Sequence, residues 1–249
     1  MIRLLSLLLV LATPAKSEEI VLGLSQDEVS ITANFDGSDI LIFGAIKRDE
    51  PIPTDGELGI IVTVAGPDVP VTVRRKDRRL GIWVNVESVA VDVAPSFYAV
   101  ATNKPLTQIL TESEDINTRI SINRAVRSVG HAESGSDNFE DALIRIRETQ
   151  RLYQTLSGSV WVEDETLFQT EIALPANLTE GLYKAEIYLT RGGNIVDFYS
   201  TTIPVKKVGL ERWLYNLAHE NAFLYGLMSL AIAIAAGWGA SAIFTLLRR

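Results

Sequence analysis

The sequence contains no cysteine, so it offers no disulfide, no thiolate nucleophile and no thiolate metal ligand. Any folded part must be held by packing alone. Histidine is nearly absent as well: His131 lies in a polar central stretch and His219 close to the C-terminal apolar run. That separation lacks the close spacing that puts two imidazoles on one metal. Asp36-Gly37-Ser38-Asp39 and the acidic run 133–141 lack the regular oxygen spacing of a calcium loop, and solvated turns account for both. No metal and no cofactor are expected. A Gly-x-Ser-x-Gly elbow and a phosphate-cradling glycine loop are also missing. Acidic residues are plentiful enough for a carboxylate-based hydrolase, but abundance by itself indicates no site.

Charge is missing from one long segment. Ala222 to Leu247 carries no ionisable acid or base and stops at Arg248-Arg249. About 20 apolar residues cross a hydrocarbon core of about 30 Å, so 222–247 reads as one transmembrane helix and 248–249 as a cytoplasmic tail. The apolar run at the other end, Leu4 to Ala12, is too short to span. With Arg3 before it and Ala15-Lys16-Ser17 after it, residues 1–17 read as a secretory signal peptide. Lys206, Lys207 and Arg212 precede the span and Arg248 and Arg249 follow it, so basic residues alone leave the orientation open. The signal sequence sets it, with the N-terminal part outside.

The whole chain has a net charge of −8, and leaving out Arg3, Lys16, Arg248 and Arg249 takes the remainder to −12. That balance argues against nucleic acid or anionic lipid as the main partner.

Residues 18–207 read as a β-rich domain. Short β-branched runs recur at Glu19–Leu24, Val29–Asn34, Ile40–Ile46, Leu58–Val64, Val71–Arg75, Leu80–Val86 and Phe97–Ala101. Asp36-Gly37-Ser38-Asp39, Pro51, Pro53, Gly66-Pro67 and Pro95 punctuate them with turn chemistry. A helical insertion is expected over about 105–157. Within it Phe139, Ala142, Leu143, Ile146 and Tyr153 share one helix face, Asn138 serves as cap, and Gly158 ends the helix. Strands resume at Ser159–Val162, Leu167–Leu174, Tyr183–Thr190 and Ile195–Val205, with Gly192-Gly193-Asn194 as a hairpin turn. Gly181-Leu182-Tyr183 before an alternating strand fits a tyrosine corner. The expected fold is mainly β: an immunoglobulin-like β-sandwich ectodomain with a helical insertion, plus a C-terminal single transmembrane helix. Two smaller β domains are the alternative.

Residues 208–221 form an amphipathic juxtamembrane stretch, with Leu210, Trp213, Leu214, Leu217 and Ala218 on its apolar stripe. It either lies at the membrane or packs back on the ectodomain. Trp213, Tyr215 and Tyr225, with Arg248 and Arg249, are the interface anchors. Inside the span, Ala233, Gly237 and Ser241 recur every fourth residue, as do Ala236 and Ala240. Small residues at that interval let a second helix approach, so they are the candidate helix–helix contact.

One local feature stands out. Arg74, Arg75, Lys76, Arg78 and Arg79 crowd five cations into six residues around Asp77. They read as a hairpin tip that docks an acidic surface or a small anion, or as a solvated edge whose charges prevent aggregation.

The segments Ile42-Phe43-Gly44-Ala45-Ile46, Gly81-Ile82-Trp83-Val84-Asn85, Pro95-Ser96-Phe97-Tyr98-Ala99-Val100 and Gly209-Leu210-Glu211, with Tyr225-Gly226 and Gly237-Trp238, resemble a family of putative transmembrane proteins from alphaproteobacteria. The resemblance implies a bacterial cell-envelope protein and brings no activity, cofactor or catalytic residue with it. The expected function is non-enzymatic: a periplasmic interaction or accessory module, held at the inner membrane, of an envelope complex or neighbouring transporter. Its partners would be membrane lipid through one helix and a membrane protein or a second copy, with no nucleic acid. The alternatives are a sensor domain for a small anion and, remotely, a carboxylate hydrolase.

Overall fold

A computed structural model describes residues 18–32, 35–48, 51–53, 56–91, 93–127 and 136–247. The expected signal peptide, His131 and the two terminal arginines lie outside these residues.

Two β-sheets close on one hydrophobic core. The first has the order β1 (Glu18–Leu24), β3 (Gly37–Arg48), β10 (Leu167–Pro175) and β9 (Trp161–Glu163). The second has the order β2 (Val29–Ile31), β12 (Asn194–Lys207), β11 (Gly181–Arg191), β4 (Leu58–Ala65), β7 (Tyr98–Thr102) and β8 (Tyr153–Ser157). The strands in chain order give A-B-E-D on one sheet and G-F-C-C′ on the other, the variable-type immunoglobulin arrangement. The chain crosses between β1 and β2, and β2 pairs parallel with β12. Inward residues alternate along β3 (Ile40, Ile42, Ile46) and β10 (Phe168, Thr170, Ile172, Leu174), each at most 4% exposed. That period of two is what a sheet with one buried face demands.

The tyrosine corner is present. Tyr183 Oη donates to the Thr179 carbonyl at 2.9 Å, and the ring packs against Phe97 at a centroid distance of 6.1 Å. Ala185, two residues on, is fully buried where the second disulfide cysteine of antibody domains would stand. Aliphatic packing replaces the cross-link. Gly192 and Gly193 have φ of +55° and +86°, the left-handed pair that a two-residue β11–β12 hairpin needs.

β4 is buried on both faces along almost its whole length, unlike a sheet strand open to water. The helical insertion supplies the second cover. It comprises α1 (Leu106–Ile109), α2 (Glu112–Thr118), α3 (Ile122–Ala125) and α4 (Ser136–Thr149). Ile109, Ile120, Ile122, Val126, Leu143 and Ile144 join the core, and Tyr98 Oη donates to the Ile120 carbonyl at 2.9 Å.

Four details differ from the sequence reading. Tyr153 is not on the α4 face: Arg151 takes φ +58°, ends the helix, and sends the chain into β8, which pairs parallel with β7. Leu143 is buried as expected, but Ile146 is exposed and Ile144 is buried in its stead. Asn138 lies within the first turns of α4, which begins at Ser136. Finally, Gly37-Ser38-Asp39 opens β3 rather than forming a turn.

α5 (Leu210–Glu220) and α6 (Ala222–Leu247) follow the sandwich. Asn221, with φ −136°, separates them. A 20-residue stretch of α6, Ala222–Ser241, has mean hydropathy 1.7 and none of it is buried in the protein. This single apolar helix is long enough to cross a membrane.

Candidate functional site

The five cations stand on a two-stranded arm outside both sheets. β5 (Val71–Arg79) pairs antiparallel with β6 (Ile82–Val91), joined by Leu80 and Gly81. Leu80 and Gly81 have φ of +51° and +86°, a tight turn. The strands run further than their sequence indicates, so the arginines line the arm and Leu80-Gly81 is the tip.

Strand alternation sorts the charges. Thr72, Arg74, Lys76 and Arg78 share one face of β5, opposite Ala90, Ser88, Asn85 and Trp83. Arg75 and Arg79 share the other face with Asp77. On that second face Arg75 donates to Glu87 at 2.9 Å and Arg79 lies 3.7 Å from Asp77. On the first face, Arg74, Lys76 and Arg78 form no ion pair among the described residues. The β6 partner of Lys76 is displaced by a one-residue bulge, which twists the arm without disturbing the alternation of β5. Leu80 is 104% exposed, Trp83 68% and Ile82 65%. The arm therefore ends in apolar side chains beside unpaired cations.

A second exposed surface is the outer face of the four-stranded sheet. Leu41, Phe43 and Ala45 alternate with the buried isoleucines of β3 and point outward. The register sets Val21 and Leu167 on either side of Ala45, and Gly23 and Gln169 on either side of Phe43. Trp161 stands beyond Gln169. A Cβ on Gly23 would lie 2.5 Å from Phe43 Cε2, so the Phe43 ring lies over the bare glycine. Val21, Phe43, Trp161 and Leu167 are 43–52% exposed. Exposed apolar side chains gathered on a sheet face mark a candidate contact surface.

Two buried charged residues, Glu18 and Arg191, form a clasp that the sequence reading missed. Arg191, 7% exposed, donates through Nε and Nη2 to both Glu18 oxygens at 3.0 Å. Its Nη2 also reaches Glu165 at 3.0 Å, and Nη1 reaches the Pro53 and Gly56 carbonyls. Arg48 Nε donates to Glu18 at 2.7 Å, with its other nitrogens on Glu165 and Thr166. Burial pushes the Glu18 carboxyl upward, but hydrogen bonds from Arg191 and Arg48 outweigh it and hold the group below the usual range. Two acids and two bases satisfy one another here. Such closure holds the N-terminal strand in place and leaves no group poised to react.

The remaining shifted groups are tyrosines. Burial pushes Tyr153 up to about 12 and raises Tyr98, Tyr183 and Tyr188. The Tyr98, Tyr153 and Tyr183 hydroxyls are bound to backbone carbonyls, so they act as staples. Three arginines, Arg119, Arg124 and Arg127, edge an open depression of about 540 Å³ beside α2 and α3. Arg124 there is neutralised by Asp115 and Glu112. Among the described residues no three His, Asp or Glu side chains converge as metal ligands.

In the C-terminal part, Trp213, Tyr215 and Tyr225 are exposed, and Tyr215 stacks on His219 at 4.0 Å. Ala233, Ala236, Gly237, Ala240 and Ser241 all lie on the exposed surface of α6. No curated protein matches the chain. Residues 19–245 match the model of a family described as "Putative transmembrane protein (Alph_Pro_TM)".

Proposed function

The chain belongs to this family of putative transmembrane proteins, and on that premise we propose that it is a non-enzymatic accessory module. It is held by α6 in the inner membrane of a bacterial cell, with the sandwich in the periplasm and the C-terminus in the cytoplasm. There it serves an envelope complex or neighbouring transporter. The observation that carries this reading is the outer face of the four-stranded sheet, where Val21, Phe43, Trp161 and Leu167 stand exposed on a chain whose described residues include one helix long and apolar enough to cross a membrane. A protein subunit of the same membrane is the occupant that fits, because an anchored domain meets its neighbours at high effective concentration. The small residues of α6 offer that subunit a second contact. The chemistry supports the same direction: Glu18, Arg191 and Arg48 pair with one another, and the Tyr98, Tyr153 and Tyr183 hydroxyls are bound to carbonyls.

The test is co-purification from detergent-solubilised membranes, comparing the natural chain with Phe43→Glu and Trp161→Glu. A subunit retained by the natural chain and lost from both variants is the expected result. Retention of the same subunits by all three chains would remove the sheet face as the docking surface. Recovery of the natural chain alone would remove the accessory role.

A further inference from the structure

The β5–β6 arm has a root, a length and a sided charge pattern that together identify what it touches. Its root lies at the end of the sandwich from which the anchor leaves. Along the second sheet, Gly181 pairs with Val205 and Lys184 with Ala65, so β4 ends beside the end of β12. Pro67 then sits against Gly181, 2.8 Å from where a Cβ would be, and Asp68 bridges to Pro95 to close the base. β12 runs on from this same end through Lys207 into α5.

The reach is sufficient. Nine residues of β5 extend about 30 Å, whereas the eleven residues of α5 standing upright span only about 16 Å. An arm rooted at this end is longer than the spacer that separates the sandwich from α6.

We propose that the arm face bearing Arg74, Lys76, Arg78 and Trp83, with Leu80 at its tip, seats on the anionic phospholipid surface of the membrane that α6 enters. Guanidinium and ammonium groups pair with lipid phosphates. An indole settles at the headgroup boundary, where its ring is shielded and its N–H stays wet. Leu80 is fully exposed and Ile82 largely so, and both find cover at the acyl boundary. The net charge of −12 on residues 18–221 does not oppose this contact. Screening at physiological salt acts over about 8 Å, so the tip responds to its own cations and not to acids a whole arm's length away. The sequence-wide balance that argues against anionic lipid is thus overruled locally. The proposal rests on the anchoring of α6 and is independent of any protein partner.

Absence of cysteine makes the test direct. The full chain carrying Leu80→Cys, labelled with a polarity-sensitive fluorophore, is reconstituted into nanodiscs of phosphatidylcholine with or without roughly 30 mol% phosphatidylglycerol. A second chain labelled at Ile234→Cys reports whether α6 is inserted. The expected result is a blue-shifted Leu80→Cys emission in the anionic discs that reverts in about 1 M salt, where the Debye length is about 3 Å. Arg74→Ser, Lys76→Ser and Arg78→Ser together weaken the seated population on the order of a hundredfold. Arg75→Ser with Arg79→Ser, on the paired face, leaves it nearly unchanged. Water-like emission at position 80 in both discs, with position 234 inserted, overturns the proposal and spares the anchor. Water-like emission at both positions overturns both. Equal loss from the two sets of substitutions overturns the assignment to one face.

Discussion

Glu18 ties together parts of the fold that are far apart in the chain. Its carboxylate bridges Arg191 at the end of β11 and Arg48 at the end of β3, so it ties the first sheet to the second. Because its folded pKa is lowered, the stability it contributes is present above the unfolded value, about 4.3. That stability is lost as pH falls through the folded value. Glu18→Gln in the full detergent-solubilised chain should therefore lower the thermal midpoint at pH 7 and flatten its fall below pH about 4.3, read by circular dichroism. Removing the other partner is harsher. Arg191→Met strands buried acid and should cost about 3–5 kcal/mol. A midpoint within error of the natural chain would disprove the clasp. Tyr183→Phe removes one hydrogen bond to Thr179 and should cost about 0.5–1.5 kcal/mol. The two residues differ in legibility. Tyr183 announces itself through its neighbours Gly181 and Leu182, whereas Glu18 meets Arg191 across 173 positions, a distance over which no local pattern speaks.

At the level of elements, periodicity located the strands and the last helix well. The α6 boundaries read from the uncharged run match, whereas β12 begins one residue earlier and ends two residues later than alternation indicates. Where helices end was harder. α2 and α4 stop at Arg119 and Arg151, both left-handed at φ +59° and +58°, a conformation ordinarily signalled by glycine. With arginine there, Tyr153 reads as one more residue of the α4 face when it belongs to β8. The arm was half legible: its cations are plain in the sequence, while their division into paired and unpaired faces depends on Glu87 and on the β6 register. Packing between layers is testable at Gly59. A Cβ there would lie 2.2 Å from Thr190 Oγ1 and 2.6 Å from Ile109 Cβ, so Gly59→Ala should force α1 outward and cost about 1–3 kcal/mol. An unchanged unfolding midpoint would show that α1 yields freely.

On the scale of the whole molecule, a cysteine-free sandwich is followed by an apolar helix long enough to cross a membrane. Ile234→Arg puts a charge inside α6 at about 2.5–3.5 kcal/mol, and should raise the fraction released from membranes by alkaline carbonate. Full retention would mean that the helix does not depend on hydrocarbon. The mainly β class follows from alternation repeated along the chain, and the C-terminal apolar helix from its uncharged run. The outer sheet face was not legible, because Phe43 and Ile42 look alike in sequence until the register decides which points outward. The long-range clasp also sets an order of events during synthesis. A polypeptide that emerges from its N-terminus can pair β1 with β3 and Glu18 with Arg48 early, but Arg191 is still unmade, so the tie between the two sheets stays open until nearly all of the sandwich is out. Closure then coincides with the arrival of α6, and a nascent chain halted before residue 191 should remain open to protease.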